Sequence, residues 1–339
     1  MDIAFRVDVS SHVGLGHYKR CLSLAKAFGE HHVSFFIKTD LLDLAVPYAH
    51  KFIPQSSELS GEVWSNKFDL VVVDFSHRFH YRDSEMVYHY LLNLRRIHAK
   101  IALIDGIAPD ALYHRFTKPC FDILITPYFG APSIQGEFIH LNSAKYFIFD
   151  PDEVKHVAEH VVRSQVANIL LTTGGSDASS LTSRWLEQIE TIHYYKRVTV
   201  IVGPGFSMRY VESLKKIALR SENRVTLVHS PLSLSPYYRD CDFCIATAGL
   251  TKYELALYGI PAILVSPTWD IFMANKAFAA AKVAISLGPL DLASNHQIVK
   301  HIVELIFNSN LRLELSSKSR SLIDGQGVFR LKHELLQAL

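Results

Sequence analysis

The chain has 339 residues, 49% of them hydrophobic and 20% charged. That is enough apolar chain for about two buried cores, and it excludes disorder as the dominant state. Against 35 Lys and Arg stand 33 Asp and Glu, so the formal charge is only +2 and there is no electrostatic footprint for nucleic acid.

In chain order, residues 3–9, 33–37, 70–73, 101–104 and 123–125 are short apolar runs and are predicted as strands. A helix is predicted over residues 18–28, stopped by Gly29. The rhythm restarts after Asp150-Pro151, with residues 152–163 predicted as a joining helix. Strands follow at 169–171, 198–202, 225–228, 243–245 and 262–265, and the tail from Asn295 reads as helical. Such alternation predicts an α/β protein with parallel sheets. Its two series predict two Rossmann-like domains facing across a cleft, residues 1–151 and 152–339, the last helices packing back on the first. No apolar run approaches the ~18 residues of a membrane span. Asp2, Arg6 and Asp8 interrupt what would be the core of a signal peptide. Cys21, Cys120, Cys241 and Cys244 are too few for a disulfide framework, and the expected compartment is the cytoplasm.

Open parallel sheets bind ligands beyond the carboxyl ends of their strands, so the loops after strands are the first candidates. Residues 10–20 follow the first strand and open a helix. Gly14 and Gly16 allow a ligand near the backbone, and Asp8, His12 and His17 gather at the strand end. A neutral imidazole accepts a proton near pH 7 and a carboxylate orients it. The spacing is neither a dinucleotide fingerprint nor a P-loop; the plainer reading is a glycine-rich turn. Thr172-Thr173-Gly174-Gly175-Ser176-Asp177 suits a diphosphate or is a structural turn. At Gly249, Leu250 and Thr251 backbone N–H groups open another helix, and Glu254 just inside it either accepts from ribose hydroxyls or simply answers the helix dipole. The strand-end aspartates Asp74 and Asp105 either line the cleft or satisfy loop N–H groups. Residues 269–275, ending at Asn275, are placed to close over a base or ribose. The Cys241-x-x-Cys244 spacing has no second pair and falls on a predicted buried strand. His31, His32, His77 and His80 lack a supporting cluster.

These motifs together resemble those of the PseG/SpsG family. Phe5-Arg6-x-Asp8 and Gly14-x-Gly16-His17-x-x-Arg20-Cys21-Leu22-x-Leu24-Ala25 resemble its opening. The likeness continues at Gly174-Gly175-Ser176-Asp177, at Ala248-Gly249-x-x-x-x-Glu254-x-Ala256-x-x-Gly259-x-Pro261, and at Asp324-Gly325-x-Gly327-x-x-Arg330. The glycine–glutamate–glycine–proline segment is shared with MurG-like glycosyltransferases. The resemblance implies a GT-B fold with UDP held mainly by the C-terminal domain, and no metal or other cofactor. It implies His17 as catalytic base with Asp8 and Arg6 beside it, and Gly14 and Gly16 admitting the diphosphate and sugar. Gly174, Gly175, Ser176, Gly249, Leu250 and Thr251 would face phosphate or uridine, Glu254 the ribose, and Asn275 the substrate. The chain departs from the family pattern at residues 269–275, at Asp105-Gly106-Ile107 and at Thr126-Pro127-Tyr128.

The function expected on this resemblance is metal-independent hydrolysis of a UDP-sugar of the 2,4-diacetamido-2,4,6-trideoxy-hexose type, as in pseudaminic acid synthesis. Water would attack the anomeric carbon with inversion. The alternative is an inverting GT-B glycosyltransferase, and a third class is a non-catalytic nucleotide-sugar binding protein. The expected partner is the UDP-sugar itself.

Overall fold

The computed structural model describes residues 1–10, 15–41, 43–54, 59, 64, 66–75, 84–106, 111–116, 120–192, 194 and 196–339. Two compact units divide the chain: residues 1–155 with 325–339, and residues 156–324.

The first unit holds β1 (Asp2–Asp8), β2 (His32–Thr39), β3 (Ala49–Pro54), β4 (Leu70–Asp74), β5 (Lys100–Ile104), β6 (Ile123–Thr126) and β7 (Ile139–Asn142). They form one sheet in the order β3-β2-β1-β4-β5-β6-β7, and every pairing is parallel. A sheet covered on both faces needs apolar residues at every position; β4 reads Leu-Val-Val-Val-Asp and all five residues are buried. Successive side chains part to opposite faces. Phe5 and Val7 join Leu24 of α1 (Gly16–Ala27) and Phe28 just after it in one core. Val71 and Val73 join Val87, Leu91 and Leu94 of α2 (Ser84–Ile97) in another.

The predicted joining helix 152–163 is cut short: α3 spans only Pro151–Val154. It starts well, with the Asp150 carboxylate accepting from the Asp152 N–H at 3.0 Å and proline in its first turn. Farther on, distant side chains claim the backbone. The buried Arg312 guanidinium donates to the carbonyls of Arg163 and Ser164, and Asp242 accepts from the N–H groups of Ala167 and Asn168 at 2.7 and 2.8 Å.

The second unit contains β8 (Asn168–Thr172), β9 (Arg197–Val202), β10 (Arg224–His229), β11 (Phe243–Thr247), β12 (Ala262–Ser266) and β13 (Ile285–Pro289). Their order is β10-β9-β8-β11-β12-β13, again all parallel. Its helices are α4 (Leu181–Glu190), α5 (Met208–Arg220), α6 (Ser235–Asp240), α7 (Thr251–Tyr258), α8 (Trp269–Ala280), α9 (Asn295–Phe307) and α10 (Ser309–Leu322). The core gathers around Trp185 of α4, packed with Ile169, Val198, Phe243 and Ile263 of the sheet.

The last helix, α11 (Gly327–Gln337), returns to the first unit, where Val328, Leu331 and Leu335 are fully buried. Gly327 makes that return possible: a Cβ there would sit 2.1 Å from the Phe147 carbonyl oxygen. The terminal glycine motif of the sequence thus has a packing reason. Among the described residues no helix is long and apolar enough to cross a membrane.

Each sheet has one switch point, where neighbouring strands continue in opposite directions: β1/β4 in the first and β8/β11 in the second. Chains leaving a switch point diverge and open a crevice beyond the strand ends. The sequence motifs fall at these two places.

Candidate functional site

At the first switch point α1 begins directly after the loop that follows β1. Its N-cap residue, Leu15, offers no side-chain acceptor to the first turn. His17 lies in that turn with 22% of its side chain exposed, and its Nδ1 is 2.7 Å from Oδ1 of Asp74, the fully buried last residue of β4. Arg20, one helical turn on, donates from Nε to Asp74 Oδ2 at 2.8 Å and from Nη2 to Oδ1 at 2.6 Å. Its Nη1 donates to the Tyr128 hydroxyl beyond β6.

This two-pronged ion pair decides the protonation of Asp74. Burial alone would raise its carboxyl, but the charges and hydrogen bonds of Arg20 and His17 outweigh it and bring the group down to about 2. An ionised carboxylate only accepts hydrogen bonds. His17 Nδ1 therefore carries a proton toward Asp74. Asp74 thereby fixes the orientation of the His17 ring.

The carboxylate paired with His17 is Asp74, whereas Asp8, expected beside the histidine, pairs with Arg6. Asp8 is 1% exposed and accepts from Arg6 Nη1 at 2.7 Å, and the fully buried Arg6 guanidinium lies 5.3 Å from the Phe75 ring centroid. Asp8 and Arg6 are both buried at the end of β1. A Cβ at Gly16 would meet no atom within 4 Å, so packing does not require glycine there. Gly14, His12, His77 and His80 lie outside the described residues. Asp105 follows its structural reading, accepting from the N–H groups of Gly106 and Tyr113 at 2.7 and 2.9 Å.

At the second switch point the two glycine turns are neighbours, because β8 pairs with β11. Gly174 has φ 84°. Built Cβ atoms at Gly174, Gly175 and Gly249 meet nothing within 4 Å, and Ser176 is exposed. A second glycine pair, which the sequence reading passed over, supports the first turn from behind. A Cβ at Gly203 would lie 2.3 Å from the Gly174 carbonyl oxygen, and the Gly205 N–H donates to the Gly175 carbonyl at 2.8 Å. Asp177 is structural: its carboxylate accepts from the N–H groups of Leu181 and Thr182 at the start of α4, and from the Tyr210 hydroxyl, each at 2.8 Å.

Gly249 and the half-exposed Leu250 precede α7, which starts at Thr251 without a side-chain cap. N–H groups there suit an anion. Glu254, half-buried in the first turn, is held from behind by the Tyr238 hydroxyl, which donates to Oε2 at 2.6 Å. Burial, helped by the Glu254 charge, pushes that phenol well above its ordinary range, so it stays a donor.

Asn275 is buried, and its Oδ1 has no hydrogen-bond partner among the described residues. It is 5% exposed, and its Nδ2 donates to the carbonyls of Ala248 and Ile271 at 2.7 Å each, so it braces the turn before α7 from within. Residues 269–275 are the start of α8 rather than a loop. Trp269, half-exposed, donates from Nε1 to Asp291 at 3.0 Å. Lys252 is buried over the Tyr253 ring, 4.6 Å from its centroid, and burial lowers its ammonium to about 7. Cys241 and Cys244 are buried free thiols, raised by burial. Among the described residues no three His, Cys, Asp or Glu side chains are grouped to hold a metal ion.

Sequence reasoning missed Arg20 and Tyr128 as partners of the histidine, and Tyr238, Gly203 and Lys252 altogether. A strand-end aspartate and a helix-start histidine were the available signal for the first group. Nothing in the sequence points to Tyr238.

No protein-family model matches the chain. It is 24% identical over 283 residues to an uncharacterized protein of Methanocaldococcus jannaschii, covering 78% of this chain and 55% of that protein. To the spore coat polysaccharide biosynthesis protein SpsG of Bacillus subtilis it is 21% identical over 198 residues, 58% of each. The chain thus spans little more than half the length of these curated relatives, and its kinship to SpsG is distant. Among solved structures, MurG of Acinetobacter baumannii matches with TM-score 0.71 at 12% identity, covering 100% of both chains. The UDP-GlcNAc 2-epimerase of Neisseria meningitidis, bound to UDP-GlcNAc, matches with TM-score 0.62 at 10% identity, covering 99% and 100%. The spinosyn rhamnosyltransferase SpnG matches with TM-score 0.58 at 14% identity, covering 98% and 100%. These likenesses show the fold, which is GT-B.

Proposed function

We propose that the protein is a GT-B enzyme acting on a nucleotide-diphosphate sugar by inverting glycosyl transfer, with His17 as the base. The observation that carries the reading is the His17–Asp74 pair at 2.7 Å, which orients the ring; with the ring neutral, Nε2 is the nitrogen that takes a proton. The second unit has nucleotide-binding features of its own. Uncapped N–H groups at the start of α7 and the open turn at Gly174 and Gly175 accept the diphosphate charge, and Glu254 accepts from ribose hydroxyls. UDP as the nucleotide is supported by the likeness to the epimerase bound to UDP-GlcNAc.

In the reaction His17 Nε2 takes the proton of an acceptor hydroxyl as its oxygen bonds to the anomeric carbon. The carbon–phosphate-oxygen bond breaks on the opposite face, and UDP leaves with the electron pair. The proton rests on His17, now an imidazolium beside Asp74. A sugar hydroxyl as acceptor is favoured over water by the likeness to MurG and to the rhamnosyltransferase, reversing the order expected from sequence. Hydrolysis of the diacetamido sugar nucleotide remains the second reading, on the opening motif Gly16-His17-x-x-Arg20-Cys21. Both readings place the chain in polysaccharide or surface-sugar synthesis, as the name of SpsG supports. The test is nucleotide release from UDP-sugars with and without added sugar acceptors. Release that needs an acceptor supports transfer; equal release without one supports hydrolysis.

A further inference from the structure

A histidine 2.7 Å from a buried carboxylate poses a difficulty for any base mechanism. An unshared buried anion stabilises imidazolium, commonly by a pH unit or more, and a base that is already protonated accepts nothing. Arg20 removes the difficulty. It donates to both oxygens of Asp74, at 2.8 and 2.6 Å, so the carboxylate's charge is already answered. Its Nη2 also lies 3.3 Å from His17 Nδ1. Arg20 and Asp74 sum to zero with His17 neutral and to +1 with it protonated, in a place where Asp74 is fully buried and Arg20 is 14% exposed.

The other described groups around the pair do not reverse this balance. Cys21, with Sγ 3.7 Å from Asp74 Oδ2, is held as a neutral thiol by burial. Tyr128 is held as a neutral phenol by burial. On the neighbouring strand β1, Arg6 and Asp8 pair with each other at 2.7 Å; Asp105, just after β5, accepts from the N–H groups of Gly106 and Tyr113, and its charge reaches Tyr128 on the far side of Arg20. The start of α1, where His17 sits, disfavours a cation.

We infer that Arg20 is a positioning residue that keeps His17 as a free base: it takes up the charge of Asp74 so that the carboxylate orients the ring without protonating it. The inference rests on His17 being the base of the proposed reaction, but its test does not need the substrate. In full-length protein carrying ring-labelled histidine, the His17 resonance is identified by its loss in His17→Asn and titrated by NMR. The wild-type ring is expected to be the Nδ1–H tautomer at pH 7. In Arg20→Met its titration midpoint should rise by about one pH unit or more, in Asp74→Asn it should fall, and in Arg20→Lys it should stay closer to wild type. An unmoved or lowered midpoint in Arg20→Met overturns the inference. So does imidazolium at pH 7 in the wild type, a measurement that needs no variant to fold. The acid limb of the pH–rate profile should follow the NMR midpoint. If the midpoints move as stated while His17→Asn keeps full turnover, the proposed function fails and the electrostatic inference stands.

Discussion

Asp74 and Asp8 end neighbouring paired strands one position apart in register, since Val7 lies opposite Asp74. Both are nearly fully buried. Their difference is made by which cation reaches them, Arg20 from α1 or Arg6 from β1 itself, and no spacing rule separates the two from sequence. His17 could be read because a histidine after a glycine turn at a strand end has few plain structural uses; its carboxylate could not. His17→Ala should cut turnover at least ~100-fold while nucleotide binding measured by calorimetry stays within about two-fold. Glu254 is a similar case: its place in the first turn was legible, and the Tyr238 hydroxyl behind it was not. Glu254→Ala should weaken UDP binding by roughly ten-fold or more, and Tyr238→Phe by a smaller factor, with kcat little changed, on the scale of one hydrogen bond to a charged group. Equal UDP affinity in wild type and Glu254→Ala would remove the ribose assignment.

At the scale of elements, the central strands were readable because both faces are covered and their apolar runs are nearly continuous. Of the four edge strands, β10 was read and the other three escaped. Ala49–Pro54 exposes five of its six residues, and Ile139–Asn142 and Ile285–Pro289 mix polar residues and glycine into the run, as sheet edges do. The predicted helix over 152–163 ends instead at Val154, and the chain after it is tied down at residues 163 and 164 by Arg312, far along the sequence. The return of α11 is the element on which the first unit most visibly depends. Leu331→Ala empties a fully buried site and should cost about 2–5 kcal/mol, seen as a lower denaturant midpoint. A shift under about 0.5 kcal/mol would mean that α11 is dispensable to that core.

For the whole molecule, two charges bury at different cost and give stability a shape in pH. Asp74 falls from 3.8 to about 2 on folding, so its contribution is complete above about pH 4 and is lost as pH falls toward 2. Lys252 falls from 10.5 to about 7. Its buried charge therefore costs most below pH 7, and stability should rise between pH 7 and 10.5 as the folded protein releases that proton before the unfolded chain does. Lys252→Met should stabilise the protein at pH 6 by roughly 1–3 kcal/mol, with a gain that shrinks toward pH 10. A gain constant across that range would place the ammonium's cost elsewhere. The two parallel sheets and the loops at their switch points were the part of the architecture most open to reading, because strand periodicity and glycine turns are local signals. The partners of each site residue come from other strands and helices, and so were not.

The most direct measurement is UDP release from a panel of UDP-sugars, including UDP-GlcNAc and the diacetamido-trideoxy sugar, with and without sugar acceptors, in wild type and His17→Ala. The account predicts release by the wild type that depends on an acceptor and falls at least ~100-fold in the variant. Tight UDP binding with no release from any donor, or equal rates in the two proteins, would contradict it.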